Sequence, residues 1–136
     1  MRFIVGFLLC ATMTFAQNWP SFRGPMGSGA ADEMQPPVDW DAEKGTNIAW
    51  KTPMPDRSGS TPAIWGDRIF LNVAEGKDLV LWCVDKAEGT VIWKRPMASG
   101  NYEINKQNMS SPSPVTDGSR LSVIEKTAPR TSPGIR

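Results

Sequence analysis

The sequence predicts an all-β fold, and three observations carry that reading. From Thr46 onward the chain breaks into short runs rich in Val, Ile, Leu and Trp, bounded by Gly, Asp, Ser and Pro. That is the pattern of strands closed by turns. Nothing between those runs is long enough for a helix of ordinary length. One segment also repeats: Ile48-Ala49-Trp50-Lys51-Thr52-Pro53-Met54 returns 43 residues later as Val91-Ile92-Trp93-Lys94-Arg95-Pro96-Met97.

Taken in order, residues 1–16 read as a secretory signal peptide. Arg2 precedes an apolar run from Phe3 to Ala11, and Thr14-Phe15-Ala16 ends on a small residue before Gln17. The run breaks at Thr12, short of the roughly 20 apolar residues a spanning helix needs, so no transmembrane span is expected. Leu8-Leu9 are too bulky for a lipid-attachment site at Cys10. The expected location is therefore periplasmic or extracellular. Residues 17–45 form an irregular lead-in, punctuated by Pro20, Gly24, Pro25, Gly27, Gly29, Pro36 and Pro37. Trp19, Phe22 and Trp40 are expected to pin it to the surface, because aromatic rings bury large areas at fixed points.

Strands are predicted over residues 47–51, 61–65, 68–74, 79–85, 90–94, 113–116 and 120–124. A second shared element orders them. Pro62-Ala63-Ile64-Trp65-Gly66-Asp67-Arg68-Ile69 is answered 52 residues on by Pro114-Val115-Thr116-Asp117-Gly118-Ser119-Arg120-Leu121, so the second intervening loop is nine residues longer. A repeat of about 40–50 residues holding four short strands reads as a propeller blade. The predicted architecture is thus a partial β-propeller over residues 46–125, one complete four-stranded blade with parts of two others. Its turns fall at Gly66-Asp67, at Glu75-Gly76-Lys77-Asp78 and at Lys86-Ala87-Glu88-Gly89. Gly89 stands where such a turn needs positive φ. Asp85 is placed to accept backbone N–H bonds from the turn it opens.

The charges exclude some functions. Without residues 1–16 the chain has 120 residues, with 14 basic against 14 acidic side chains. No basic run stands out, so nucleic acid is not an expected partner. Histidine is absent, which removes serine–histidine, cysteine–histidine and histidine–metal schemes within this chain. Cys83 is then the single cysteine, on an apolar strand with no basic neighbour in sequence, and reads as a buried inert thiol.

Cys83-Val84-Asp85-Lys86-Ala87-Glu88-Gly89-Thr90-Val91-Ile92-Trp93 resembles the tryptophan-docking repeat of pyrroloquinoline-quinone-like β-propellers. That repeat carries an alanine, an aspartate, a Thr-Gly turn and a tryptophan at positions 1, 3, 6–7 and 11. Asp85, Gly89 and Trp93 match; Cys83 stands for the alanine and Glu88 for the threonine. Asn18-Trp19-Pro20-Ser21-Phe22-Arg23-Gly24-Pro25 is similar to the start of large exported members of the group, and residues 47–54 with 60–70 also follow it. The resemblance covers roughly residues 18–121. It implies a ring of about seven or eight blades, with Asp85, Gly89, Trp93 and Trp50 as structural docking residues and Trp93 wedged between neighbouring blades. Pyrroloquinoline quinone enters as a cofactor by resemblance only; no cofactor is predicted for this chain. Residues 126–136 depart from the pattern, with Pro129 and Pro133 and no strand period, and read as an irregular tail left by truncation or a frameshift.

Other candidates are weaker. Asp39, Asp41 and Glu43 alternate along the chain, but an EF-hand would need glycine and glutamate where Lys44 and Trp50 stand; a solvated acidic turn is expected, and no metal. Gly24, Gly27 and Gly29 lack the flanking strand and helix of a phosphate cradle. Asn108-Met109-Ser110 matches a glycosylation acceptor and is read as coincidence. The functional expectation is an exported, non-catalytic binding or scaffold segment with no self-sufficient catalytic site, whose partner in the intact propeller is a protein or a carbohydrate. The alternative is the N-terminal piece of a quinone-dependent dehydrogenase-like enzyme. Uncovered strand edges also predict poor solubility.

Overall fold

A computed structural model describes residues 18–31, 35–105 and 107–124. The signal peptide with its cut after Ala16, and the tail over 126–136, lie outside the described residues. Among them there is no helix, and eight strands form. The main element is a four-stranded antiparallel sheet in the order β1-β2-β3-β4, made of β1 (Ala63–Trp65), β2 (Arg68–Glu75), β3 (Asp78–Asp85) and β4 (Val91–Ser99). Two small hairpins follow: β5 (Glu103–Ile104) with β6 (Gln107–Asn108), and β7 (Val115–Thr116) with β8 (Leu121–Ser122).

The meander follows from local turn chemistry. Gly66, Gly76 and Gly89 take φ of 57°, 63° and 72° at the three turns, a region costly for residues that carry a Cβ. In register, Ile69, Leu71 and Val73 of β2 face Val84, Trp82 and Val80 of β3. Phe70, Asn72 and Ala74 occupy the opposite face against Cys83, Leu81 and Leu79. Because Leu79 to Val84 are all buried, β3 must be covered on both faces, which its unbroken apolar run anticipates. Each such side chain contributes about 1.5–3 kcal/mol of burial as an upper estimate.

Two flanking segments supply the cover. Trp50 packs on the cluster of Ile69, Val73, Val80, Trp82 and Val84. On the other face, the Asn72 side chain donates to the Pro112 carbonyl at 3.2 Å, and the Trp65 ring lies on Gly118 in the β7–β8 turn. The lead-in joins β1 through a reciprocal backbone pair, Trp19 N–H to Ile64 O at 2.9 Å and Ile64 N–H to Trp19 O at 2.7 Å. Thr116 N–H then donates to Pro20 O at 3.0 Å. Pro96 sits in β4 beside a register shift; a bulge there tolerates the missing donor.

Three expectations need correction. Residues 47–51 form no strand, because no described strand adjoins them and β-propensity alone does not order a lone segment. Asn47 takes a φ of 54° instead. Of the aromatic pins only Trp19 is packed, its ring against Gly24; Phe22 and Trp40 are 63% and 68% exposed, since neither has an adjacent strand to rest on. β4 runs to Ser99, five residues beyond the predicted end, carried across Pro96 by that register shift.

Candidate functional site

Three of the four predicted docking residues meet at one turn. Asp85 ends β3, and its Oδ1 accepts N–H bonds from Ala87 at 2.9 Å and Glu88 at 3.0 Å. Gly89 N–H donates back to Asp85 O at 2.9 Å, closing the turn with Gly89 in the left-handed region. The Trp50 ring lies against Gly89, so close that an added Cβ would overlap it. Its Nε1 donates to the Lys86 carbonyl at 2.9 Å, and Thr52 Oγ1 donates to Gly89 O at 2.5 Å. The turn thus holds a tryptophan from 39 residues upstream through its ring and one hydrogen bond, with a second hydrogen bond from Thr52 two residues on. Trp93 does not join it. It lies on β4, tilted 41° to Phe70 with centroids 6.1 Å apart, and is 38% exposed.

The remaining sequence candidates are committed elsewhere. Asp41 Oδ1 accepts the Glu43 and Lys44 amides at 2.9 and 3.0 Å, and Oδ2 meets the Lys44 ammonium at 3.2 Å. Around Gly24, Gly27 and Gly29 the amides donate to Ser21, Gly24 and Arg23 carbonyls of the same loop. Asn108 is 2% exposed, and its Nδ2, the glycosylation atom, donates to Arg57 O at 2.8 Å. Cys83 is buried, and burial pushes its thiol pKa up; the thiolate that reacts is disfavoured.

Two clusters were not foreseen. Trp82, 4% exposed, donates from Nε1 to Glu75 Oε1 at 2.7 Å, and Lys94 Nζ donates to the same oxygen at 2.8 Å. The Lys94 ammonium also sits 4.0 Å above the Trp82 ring, a cation–π contact. These residues and Pro53, Met54 and Pro55 line a cleft of about 420 Å³, whose polar groups are already paired. In the second cluster, buried at Asn72, Asn108 and Ser110, the exposed Ser58 bridges through Oγ to Asn72 O and Ser110 O at 3.0 Å each, and Ser110 Oγ donates to Asn108 Oδ1 at 2.6 Å. Its available signal was Asn72 inside the apolar run of β2.

The Lys94 hydrogen bond, aided by the Trp82 N–H against the opposing effect of burial, holds the Glu75 carboxyl below its ordinary pKa. The Lys44 amide and side chain do the same for Asp41, and the Arg120 amide for Asp117. A folded pKa below the unfolded one adds stability above the unfolded value, lost as pH falls through the folded one. The melting temperature is therefore expected to drop as pH is lowered beneath the ordinary glutamate value of about 4.3. Glu75→Gln should lower it at neutral pH and flatten part of that acid limb; an unchanged limb in a series of thermal melts would remove Glu75 from the account.

A second cleft, of about 430 Å³, opens between the Phe70–Leu81–Trp93 face of the sheet and the β7–β8 hairpin. No protein-family model, curated protein or solved structure matches the chain.

Proposed function

We propose that this chain is a segment of an exported β-propeller built from pyrroloquinoline-quinone-like repeats, and that it serves as a non-catalytic binding or scaffold module. The observation that carries the reading is Trp50 on Gly89, with its Nε1 bonded to the Lys86 carbonyl. A tryptophan closing one repeat rests there on the turn of the next, as the docking-repeat resemblance requires. The cover on both faces of β3, from segments before and after the sheet in sequence, supports the same reading. Export rests on the leader pattern of residues 1–16. The non-catalytic part rests on the sequence's lack of histidine and on the committed state of Asp41, Glu75 and Cys83.

Expression with its own leader, followed by fractionation and incubation with purified cell envelope, tests this. The expected product begins at Gln17, is recovered outside the cytoplasm and co-sediments with the envelope. It does not reduce a redox dye when quinone, calcium and alcohols or sugars are supplied. Substrate-dependent dye reduction would overturn the non-catalytic reading in favour of a dehydrogenase. Retention in the cytoplasm with the leader intact would overturn export, and failure to sediment would overturn envelope binding.

A further inference from the structure

The repeat in the sequence reappears as contacts between equivalent residues. Pro62 and Pro114 are 52 residues apart, and the same offset joins several touching pairs. Ser58 Oγ donates to Ser110 O at 3.0 Å, and Thr61 N–H donates to Ser113 Oγ at 2.9 Å. Gly59 lies against Ser111. A seam thus runs between the segment entering β1 and the segment entering β7. Ile64 of β1 and Thr116 of β7 are one more pair at this offset, and residues 18–20 cross both. Three amides from the two hairpins donate to these three consecutive residues: Gly66 N–H to Asn18 Oδ1 at 2.8 Å, Ile64 N–H to Trp19 O at 2.7 Å and Thr116 N–H to Pro20 O at 3.0 Å. Trp19 N–H returns a bond to Ile64 O at 2.9 Å.

We infer that residues 18–20 are a clasp on this seam, docking and leaving as one unit whose release frees the β7–β8 hairpin from the main sheet. That hairpin has two residues in each strand, and an isolated two-stranded hairpin is at best marginally stable in water. Among the described residues, its one backbone bond to the rest of the chain is the one to Pro20; beside it stands the Trp65 ring on Gly118. The four-stranded sheet has no such dependence. Its β2 and β3 pair over eight residues and carry the core cluster. Opening of the clasp therefore belongs to the low end of the free energies at which parts of a fold open. While it is open, the amides of Ile64, Gly66 and Thr116 lose their acceptors together, and the outer edge of β1 is uncovered. The repeat reading explains why the crossed positions match; the coupling between Trp50 and Gly89 tests that reading separately.

The test is native-state hydrogen exchange of the full chain, followed amide by amide. The amides of Ile64, Gly66 and Thr116 should share one degree of protection, lower than that of the amides joining β2 to β3. Asn18→Ala removes only the acceptor for Gly66, yet should speed exchange at Ile64 and Thr116 by about threefold or more. Trp19→Pro removes the donor to Ile64 O and should speed exchange at Thr116, in the other repeat, by about tenfold or more. The β2–β3 amides should keep their rates in both variants, which shows that the sheet persists. Unequal protection of the three amides, an unmoved Thr116 in either variant, or equal acceleration of the β2–β3 amides would each overturn the clasp.

Discussion

Gly89→Ala is expected to lower the unfolding free energy by about 2–5 kcal/mol, from a left-handed backbone penalty of about 1–2 and an overpacking cost of about 1–3. The first part comes from φ of 72° at this position. The second arises because the new methyl group would enter the space of the Trp50 ring, which must lift and strain its Nε1 bond to Lys86 O. Gly76 supplies the control. It has a φ of 63° but nothing within 4 Å of its virtual Cβ, so Gly76→Ala should cost only about 1–2 kcal/mol. Any gain from restricting the unfolded chain, about 0.4–1 kcal/mol, is common to both and cancels in the comparison. In a Trp50→Ala background the Gly89 substitution should fall to the Gly76 value, a coupling of about 1–3 kcal/mol, equal to the overpacking cost. Urea melts of the four variants check this. Equal costs at Gly89 and Gly76 would mean that the tryptophan does not dock, and the propeller reading would lose its main support.

That turn was legible in sequence because each part is a local rule. An aspartate opening a turn and a glycine closing it need no knowledge of distant residues, and Asp85 and Gly89 behave as their types dictate. The meander was legible for the same reason, with apolar runs separated by glycine turns. What the chain could not announce were contacts set by distant partners. Residues 47–51 have the composition of a strand but gain no neighbouring strand, so the tryptophan they carry is held by its ring and its Nε1 bond to Lys86 O. Asn72 and Asn108 resemble surface residues; they are buried where distant carbonyls meet them, Asn72 donating to Pro112 O 40 residues away and Asn108 to Arg57 O 51 residues away. Trp19 could not be told from Phe22 and Trp40 by composition, since only its backbone pairing to Ile64 distinguishes it.

Trp82→Ala should destabilise the chain by about 3–5 kcal/mol, the range for removing a fully packed aromatic side chain. The docking repeat draws the eye to Trp93, yet Trp82 is the tryptophan enclosed in the core. It stands on β3, which is covered on both faces, and is 4% exposed against 38% for Trp93. Truncation at Trp82 leaves a cavity beneath Leu71 and Trp50 and also frees one donor to Glu75 and the surface beneath Lys94. Trp93→Ala removes a ring that rests on Phe70 with one side in solvent, and should cost only about 1–2 kcal/mol. Trp82→Phe separates packing from polarity: Glu75 keeps Lys94, so the loss should be about 1–2 kcal/mol and should narrow as pH falls and Glu75 is protonated. Denaturant melts at neutral and acid pH give all three values. If Trp93 rather than Trp82 proved the costlier loss, the ring on β4 would have to be covered in solution.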